Sequence, residues 1–200
     1  MPIDSYLRDV ASAIEALDRA QVRAVAEVML EAWRRGATVY TLGNGGSAAL
    51  ASHMACDLAK NTSPDLGTGP DVPARQRLRV VSLADSSPLM TALGNDIAYA
   101  DIFVEQLKAV LGPEDVVLAI SGSGTSPNVL HAMRYARNVG ASTVAFTGAR
   151  ASSAPMLDLA DTALLAPVEM MEQIEDLHVV VNHVLAVHLR AVIAEELREP

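Results

Sequence analysis

TLGNGGSAALASHMACD (41–57) and AISGSGTSPN (119–128) decide how the rest of the chain is read. Each begins as a short apolar run, passes through a turn of Gly, Ser, Asn and Thr, and continues into a helical segment. A strand feeding a helix through such a turn is one half of a parallel β-α-β unit. Two such turns at the carboxyl ends of parallel strands form one pocket of backbone N–H and hydroxyl donors. That pocket suits a phosphate ester and several sugar hydroxyls.

Working outward, five apolar runs read as strands: ATVYTLG (37–43), RLRVVSL (77–83), DVVLAIS (115–121), STVAFTG (142–148) and DTALLAP (161–167). They are mostly continuous rather than alternating, which marks strands buried on both faces of a parallel sheet. Helical spacing separates most of them, at about 46–59, 98–111 and 125–139. Two helices precede the first strand. One, about 4–18, lines up Leu7, Val10, Ile14 and Leu17. The next, about 20–35, lines up Val22, Val25, Met29 and Trp33 and stops at Gly36. A long helix at about 169–197 carries Ile174, Leu177, Val181 and Val184 as its apolar stripe. The expected fold is α/β, a three-layer αβα sandwich on a five-stranded parallel sheet, doubly wound and flavodoxin-like. One domain over 1–200 is expected, with 1–36 as a helical oligomerisation segment and 37–200 as the core. The stretch NTSPDLGTGPDVPARQ (61–76) reads as a long surface loop, a candidate cover for the site.

Composition removes several function classes. The net charge is −9 and the only basic cluster is Arg75, Arg77 and Arg79, which argues against nucleic-acid binding. No run reads as long and apolar enough to cross a membrane, and MPIDSYLRDV lacks the plan of a signal peptide, so a cytoplasmic protein is expected. Cys56 is the single cysteine, which excludes an internal disulfide, and it reads as a packing residue. Aromatic content is 4%, so the core is aliphatic and suited to close helix packing, within and between subunits.

Ser121-Gly-Ser-Gly-Thr-Ser126 offers four hydroxyls within six residues at a helix start. Capping a helix needs one hydroxyl; four, with free amides, suit a phosphate dianion. No Gly-Lys-Ser/Thr follows, so this is not a P-loop, and Gly43-Asn-Gly-Gly46 lacks the third glycine of a dinucleotide fingerprint. His53 and Asp57 lie four residues apart and share a helix face. Glu175 and His183, just over two turns apart, address one region. Two histidines and two carboxylates hold a divalent metal, or serve as acid and base without one, or merely sit on exposed helix faces; spacing does not choose. Asn95-Asp96 reads as a loop contact or a turn pair. His178 and His188 have weaker cases, and His131 reads as structural.

Taken in order, GNGGSAA (43–49), the His53 helix, MTALGND (90–96), ISGSGTSPNV (120–129), FTG (146–148) and IEDLHVVVNHVL (174–185) resemble the sugar isomerase (SIS) superfamily. Within it they are most similar to the sedoheptulose 7-phosphate (phosphoheptose) isomerases. The resemblance implies a homotetramer with active sites between subunits, and aldose–ketose isomerisation of a seven-carbon sugar phosphate. It implies substrate contacts at Asn44, Gly45, Ser47, Asn95, Asp96, Ser121, Gly122, Ser123, Thr125, Ser126 and Glu175. Asp57 and His183 fall on the catalytic acid/base positions, and His53, Asp57, Glu175 and His183 on a zinc site. Alternatives are an isomerase of another sugar phosphate, or a non-catalytic SIS protein that binds a sugar phosphate or a replication initiator.

The chain departs from that pattern in places. Asp57 stands for a glutamate and Glu175 for a glutamine. Ser86, with Asp85 beside it, stands for an aspartate, and Asn61, with Lys60 beside it, for an arginine.

Overall fold

The computed structural model describes residues 2–72 and 75–198. Two helices, α1 (Ile3–Glu15) and α2 (Arg19–Arg34), lead into β1 (Thr38–Gly43) and α3 (Gly46–Asn61). Then come β2 (Arg79–Ser82), α4 (Ser87–Asp96), a 3₁₀ turn (Tyr99–Asp101) and α5 (Ile102–Val110). β3 (Val116–Ile120), α6 (Pro127–Val139), β4 (Ser142–Gly148), the short α7 (Ala154–Leu157), β5 (Thr162–Ala166) and α8 (Met171–Glu196) complete the order. The sheet runs β2-β1-β3-β4-β5, all parallel. This is the expected doubly wound order.

Burial follows the pleat. In β3, Val116, Leu118 and Ile120 pack with residues of α2, α3 and α8, among them Met29, Trp33, Met54, Leu58, Val181 and Leu185. Val117 and Ala119 face the other way, against Phe103 and Leu107 of α5 and Val129 and Met133 of α6. The middle strand is fully buried, as its continuous apolar run requires.

The strand order reverses at β1 and β3, which lie side by side with Gly43 opposite Ile120. The helix after β1 packs on one face and the helix after β3 on the other. Their turns therefore open a crevice at the carboxyl ends of the strands, the usual ligand position in such sheets.

Local differences from the sequence reading have physical causes. The stretch 98–111 is not one helix: Ala98 is extended (φ −166°, ψ 147°), and a 3₁₀ turn precedes α5. α4 was not legible as a helix; Pro88 at its start costs nothing there because the first turn leaves N–H groups unbonded. α1 buries Ala13 and half-buries Tyr6 and Val10, with Leu17 half-buried just beyond it, whereas Leu7 and Ile14 face outward at 61% and 39% exposure. Val184 likewise leaves the stripe of α8, which runs instead through Ile174, Leu177, Val181, Leu185 and Leu189.

Among the described residues of the loop at 61–76, none lines the crevice. Buried Asp65 accepts from the Arg77 guanidinium (3.0 Å) and from the Arg75 N–H (3.2 Å). The Arg77 pairing holds the Asp65 carboxyl below the usual range. Trp33 Nε1 donates to the Gln76 carbonyl (3.3 Å), and Arg79 donates to the Gly36 carbonyl. The loop is thus fastened at the amino end of β1, opposite the crevice. Cys56 is exposed on α3 and does not pack.

One helix among the described residues is, by length and composition alone, apolar enough to cross a membrane. α8 reaches a mean hydropathy of 1.6 over 18 residues, contrary to the sequence expectation. Its fully buried Ile174, Leu177, Leu185 and Leu189 pack in the protein core, which accounts for that hydropathy.

Candidate active site

The crevice is a cavity of about 290 Å³ lined by Asn44, Ser47, Ser121, Ser123, Ser126 and Glu175, among others. Three helices start at its wall: α3 at Gly46, α6 at Pro127 and α8 at Met171. Each brings unpaired N–H groups and the positive end of its dipole. No Lys or Arg lines the cavity, so an anion there would be held by amides and hydroxyls.

The Ser121–Ser126 turn is arranged for that role. Ser121 Oγ lies 3.4 Å from both Ser123 Oγ and Ser126 Oγ, so the three hydroxyls form one cluster. Ser126 occupies the N-cap of α6, yet its side chain makes no capping hydrogen bond. Among the described residues the N–H groups of Gly122, Ser123 and Ser126 find no acceptor outside regular structure. Gly124 closes the turn at φ +68°, and its N–H donates to Ser121 Oγ (3.2 Å). A Cβ at Gly124 would fall 2.6 Å from Ser153 Cα, so both conformation and space demand glycine. Thr125 turns its hydroxyl to Ser123 Oγ (3.2 Å) and supports the cluster.

Asn44 is held by two residues that the sequence did not single out, Asn128 and Tyr99. Its Nδ2 donates to Asn128 Oδ1 (2.9 Å), and Asn128 Nδ2 donates back to Asn44 Oδ1 (2.8 Å). Tyr99 Oη donates to the same Asn44 Oδ1 (2.9 Å). Asn44 is left with one N–H for a substrate hydroxyl. Asn128 stood in the quoted motif, but its partner 84 residues away did not show in spacing.

Asn95 and Asp96, at the end of α4, are exposed, bond to one another (2.8 Å) and do not line the cavity. His131 pairs with Asp101 (2.8 Å).

A second group lies further along α3. His53 Nε2 sits 3.0 Å and His183 Nε2 3.7 Å from Asp57 Oδ2, and the two ring nitrogens are 3.4 Å apart. The ligand atoms of all three residues fall within 4.8 Å of one another. Two imidazole nitrogens and a carboxylate oxygen facing inward are a fitting donor set for a divalent cation. His53 and His183 are half-open to solvent (42% and 55% of their side chains), and Asp57 is more enclosed (16%).

Glu175 does not join this trio. Its carboxylate lies in the crevice, where a Cβ on Gly46 would meet Glu175 Oε2 at 2.7 Å. Only Gly46 leaves room for it.

The crevice and the trio are joined by helix geometry. Gly46, His53 and Asp57 are seven and eleven residues apart, so they line one face of α3. Glu175 and Asn182, seven apart, line the facing side of α8. Seven residues of helix span about 10 Å. The crevice and the trio therefore lie about 10 Å apart along α3.

His178, one turn from Glu175, is fully buried beside the Phe146 ring, its Nε2 3.4 Å from the Thr147 carbonyl. Burial pushes its pKa down from 6.5 to about 4, so it stays neutral.

Comparison with known proteins follows the same outline. The SIS domain family matches residues 5–148. The phosphoheptose isomerase of Roseiflexus sp. is 34% identical over 98% of this chain and 98% of its own length. That of Solidesulfovibrio magneticus is 38% identical over 92% and 85%.

This chain belongs to the SIS-domain phosphoheptose isomerase family.

The phosphoheptose isomerase structure from Neisseria gonorrhoeae superposes with a TM-score of 0.82 at 25% identity, covering 94% of this chain and 97% of that one. The Francisella tularensis phosphoheptose isomerase gives 0.81 at 26%, with 94% and 96% covered. The family assignment and the flavodoxin-like sheet agree with the expectation from the glycine-serine turns.

Proposed function

We propose that the chain interconverts D-sedoheptulose 7-phosphate and D-glycero-D-manno-heptose 7-phosphate, an aldose–ketose isomerisation through a cis-enediol. The observation that carries this reading is a pair of features on α3: an anion pocket built from helix N-termini at its start, and a His–Asp–His trio about 10 Å along it. That spacing suits an open sugar chain with its phosphate at one end and its carbonyl near the other.

The substrate phosphate rests on Ser121, Ser123, Ser126 and the amides around Gly122, with Thr125 holding Ser123 in place. Gly45, Ser47 and the remaining N–H of Asn44 meet the sugar. Asp57 takes a proton from C1, and His183 gives one to the C2 oxygen, forming the enediol. The O1 proton then returns to His183, C2 receives a proton from Asp57, and the carbonyl has moved to C1. Asn95 and Asp96 are exposed, and they reach substrate only across an interface between subunits.

His53, Asp57 and His183 would hold a zinc ion, with Glu175 able to join only by leaving the crevice. A bound divalent ion would supply Lewis-acid stabilisation of negative charge on the sugar oxygens.

The chain is read as one domain, with 1–36 as the oligomerisation segment of a cytoplasmic homotetramer. Exposed Ile3, Leu7, Ile14, Val184 and Val187 support this, as does a groove of about 370 Å³ between α1, α2 and α8, mostly apolar and rimmed by Arg19, Arg23 and His188. Retention of His53, Asp57 and His183 weighs against a non-catalytic role.

Incubation of purified protein with a panel of ketose phosphates tests the substrate. Conversion of sedoheptulose 7-phosphate in preference to five- and six-carbon ketose phosphates is expected. Preference for a shorter sugar would overturn the assignment. Elemental analysis after purification without chelator tests the metal.

A further inference from the structure

We propose that Asn182 is a positioning residue that sets the Asp57 carboxylate for proton transfer, an assignment that rests on Asp57 as the base. Asn182 interrupts an apolar stretch, VVVNHVL (179–185), and is fully buried between α8 and α3. Its Nδ2 donates to Asp57 Oδ2 at 3.4 Å across 125 residues of sequence. Its Oδ1 is buried and has no hydrogen-bond partner among the described residues.

A carboxamide in such a place is costly to bury, and an apolar side chain of similar shape would pack there without that cost. What the amide supplies and leucine cannot is a donor aimed at a carboxylate. Three groups converge on the same Asp57 oxygen: His53 Nε2 (3.0 Å), His183 Nε2 (3.7 Å) and Asn182 Nδ2 (3.4 Å). All three act on Oδ2, which leaves Oδ1 for the substrate proton.

The amide differs from the histidines in two ways. It neither gains nor loses a proton near neutrality, so it orients Asp57 without competing for the proton being moved. Its N–H also has no lone pair to offer a cation, so it would remain a donor to Asp57 if the imidazoles held a metal.

Asp57 stands where the family resemblance implies a glutamate. The shorter arm keeps the carboxylate close to α3, and a donor on α8 draws it toward the cleft. Misplacement of a reacting group by about 1 Å costs about a hundredfold in rate, so a single orienting bond matters here.

The test is a double-mutant cycle between Asn182→Leu and Asp57→Asn, read by kcat and KM separately and by melting temperature. Asn182→Leu is expected to lower kcat about tenfold, the size of one hydrogen bond to a charged acceptor. KM should change less than about twofold and melting should not fall, because the branched shape is kept and a buried unpaired oxygen is removed. With Asp57→Asn already present, Asn182→Leu should cost nothing more, since the group it orients is gone. In an Asp57→Glu background its cost should shrink, because the longer arm reaches the cleft unaided. If Asn182→Leu melts early, Asn182→Ser, polar but too short to reach Asp57, carries the same kcat expectation.

Full kcat in Asn182→Leu alongside a collapsed Asp57→Asn would overturn the positioning role and leave the base in place. Equal losses in both backgrounds would also overturn it. Full turnover in Asp57→Asn would instead remove the base reading on which the proposal rests.

Discussion

The anion pocket and the His–Asp–His trio are built from different materials. The phosphate turn is local: six consecutive residues, three hydroxyls in one cluster, a glycine at φ +68° and the N-terminus of α6. The trio is assembled at long range, from α3 and from a helix more than 120 residues later. Binding is assigned to backbone that the fold holds rigidly, and chemistry to half-open side chains whose geometry depends on how two helices pack. Substitutions at the pocket should therefore act on affinity and stability, and at the trio on turnover.

The largest expected effect lies at the trio. Asp57→Asn should lower kcat by at least about a hundredfold, the usual loss of a positioned base, with little change in KM. Steady-state kinetics on the heptose phosphate would check this, and a loss confined to KM would break the division between pocket and trio.

The phosphate turn gives the next effect. Gly124→Ala forces a side chain into left-handed backbone and against Ser153. It should weaken competitive inhibition by inorganic phosphate about tenfold, with strain of about 1–3 kcal/mol appearing in denaturant unfolding.

This contrast also explains what was legible in the sequence. The turn was readable because its function is written in neighbours: Ser121, Ser123, Gly124 and Ser126 carry their meaning within one window. The sheet was readable for the same reason, each buried strand being a continuous apolar run. By spacing His53 and Asp57 announced only a shared helix face; the family resemblance added His183, which the structure brings to them, and Glu175, which stands apart because of the register between α3 and α8. Asn128, Tyr99 and Asn182 were missed because each acts through a partner at least 55 residues away. The outward turn of Leu7, Ile14 and Val184 was equally hidden, since spacing marks an apolar face without saying what covers it.

His178, on α8 between Glu175 and His183, bears on stability instead. An unfolded histidine titrates near 6.5, whereas burial holds His178 down to about 4. As pH falls through that window the unfolded chain takes up the proton first. The stability due to neutral His178 is complete above about 6.5 and drains toward pH 4, by up to about 3 kcal/mol. Urea unfolding from pH 4 to 7 should show this slope, and His178→Phe should flatten it. An unchanged slope would mean that other groups set the acid limb.

The smallest effect sharpens the boundary itself. Glu175 places a carboxylate in an anion pocket. Glu175→Gln should therefore lower KM for the sugar phosphate roughly threefold, in keeping with a partly screened charge, and leave kcat near its starting value. A collapse of kcat would move the base from Asp57 into the crevice.

The most direct test of the account is NMR of sedoheptulose 7-phosphate with the purified protein in D₂O. Heptose 7-phosphate signals with deuterium at C2 are expected, appearing with the intact protein and absent with Asp57→Asn. Product carrying protium at C2 throughout would contradict a solvent-exchanging enediol, and an unchanged substrate would contradict the isomerase assignment.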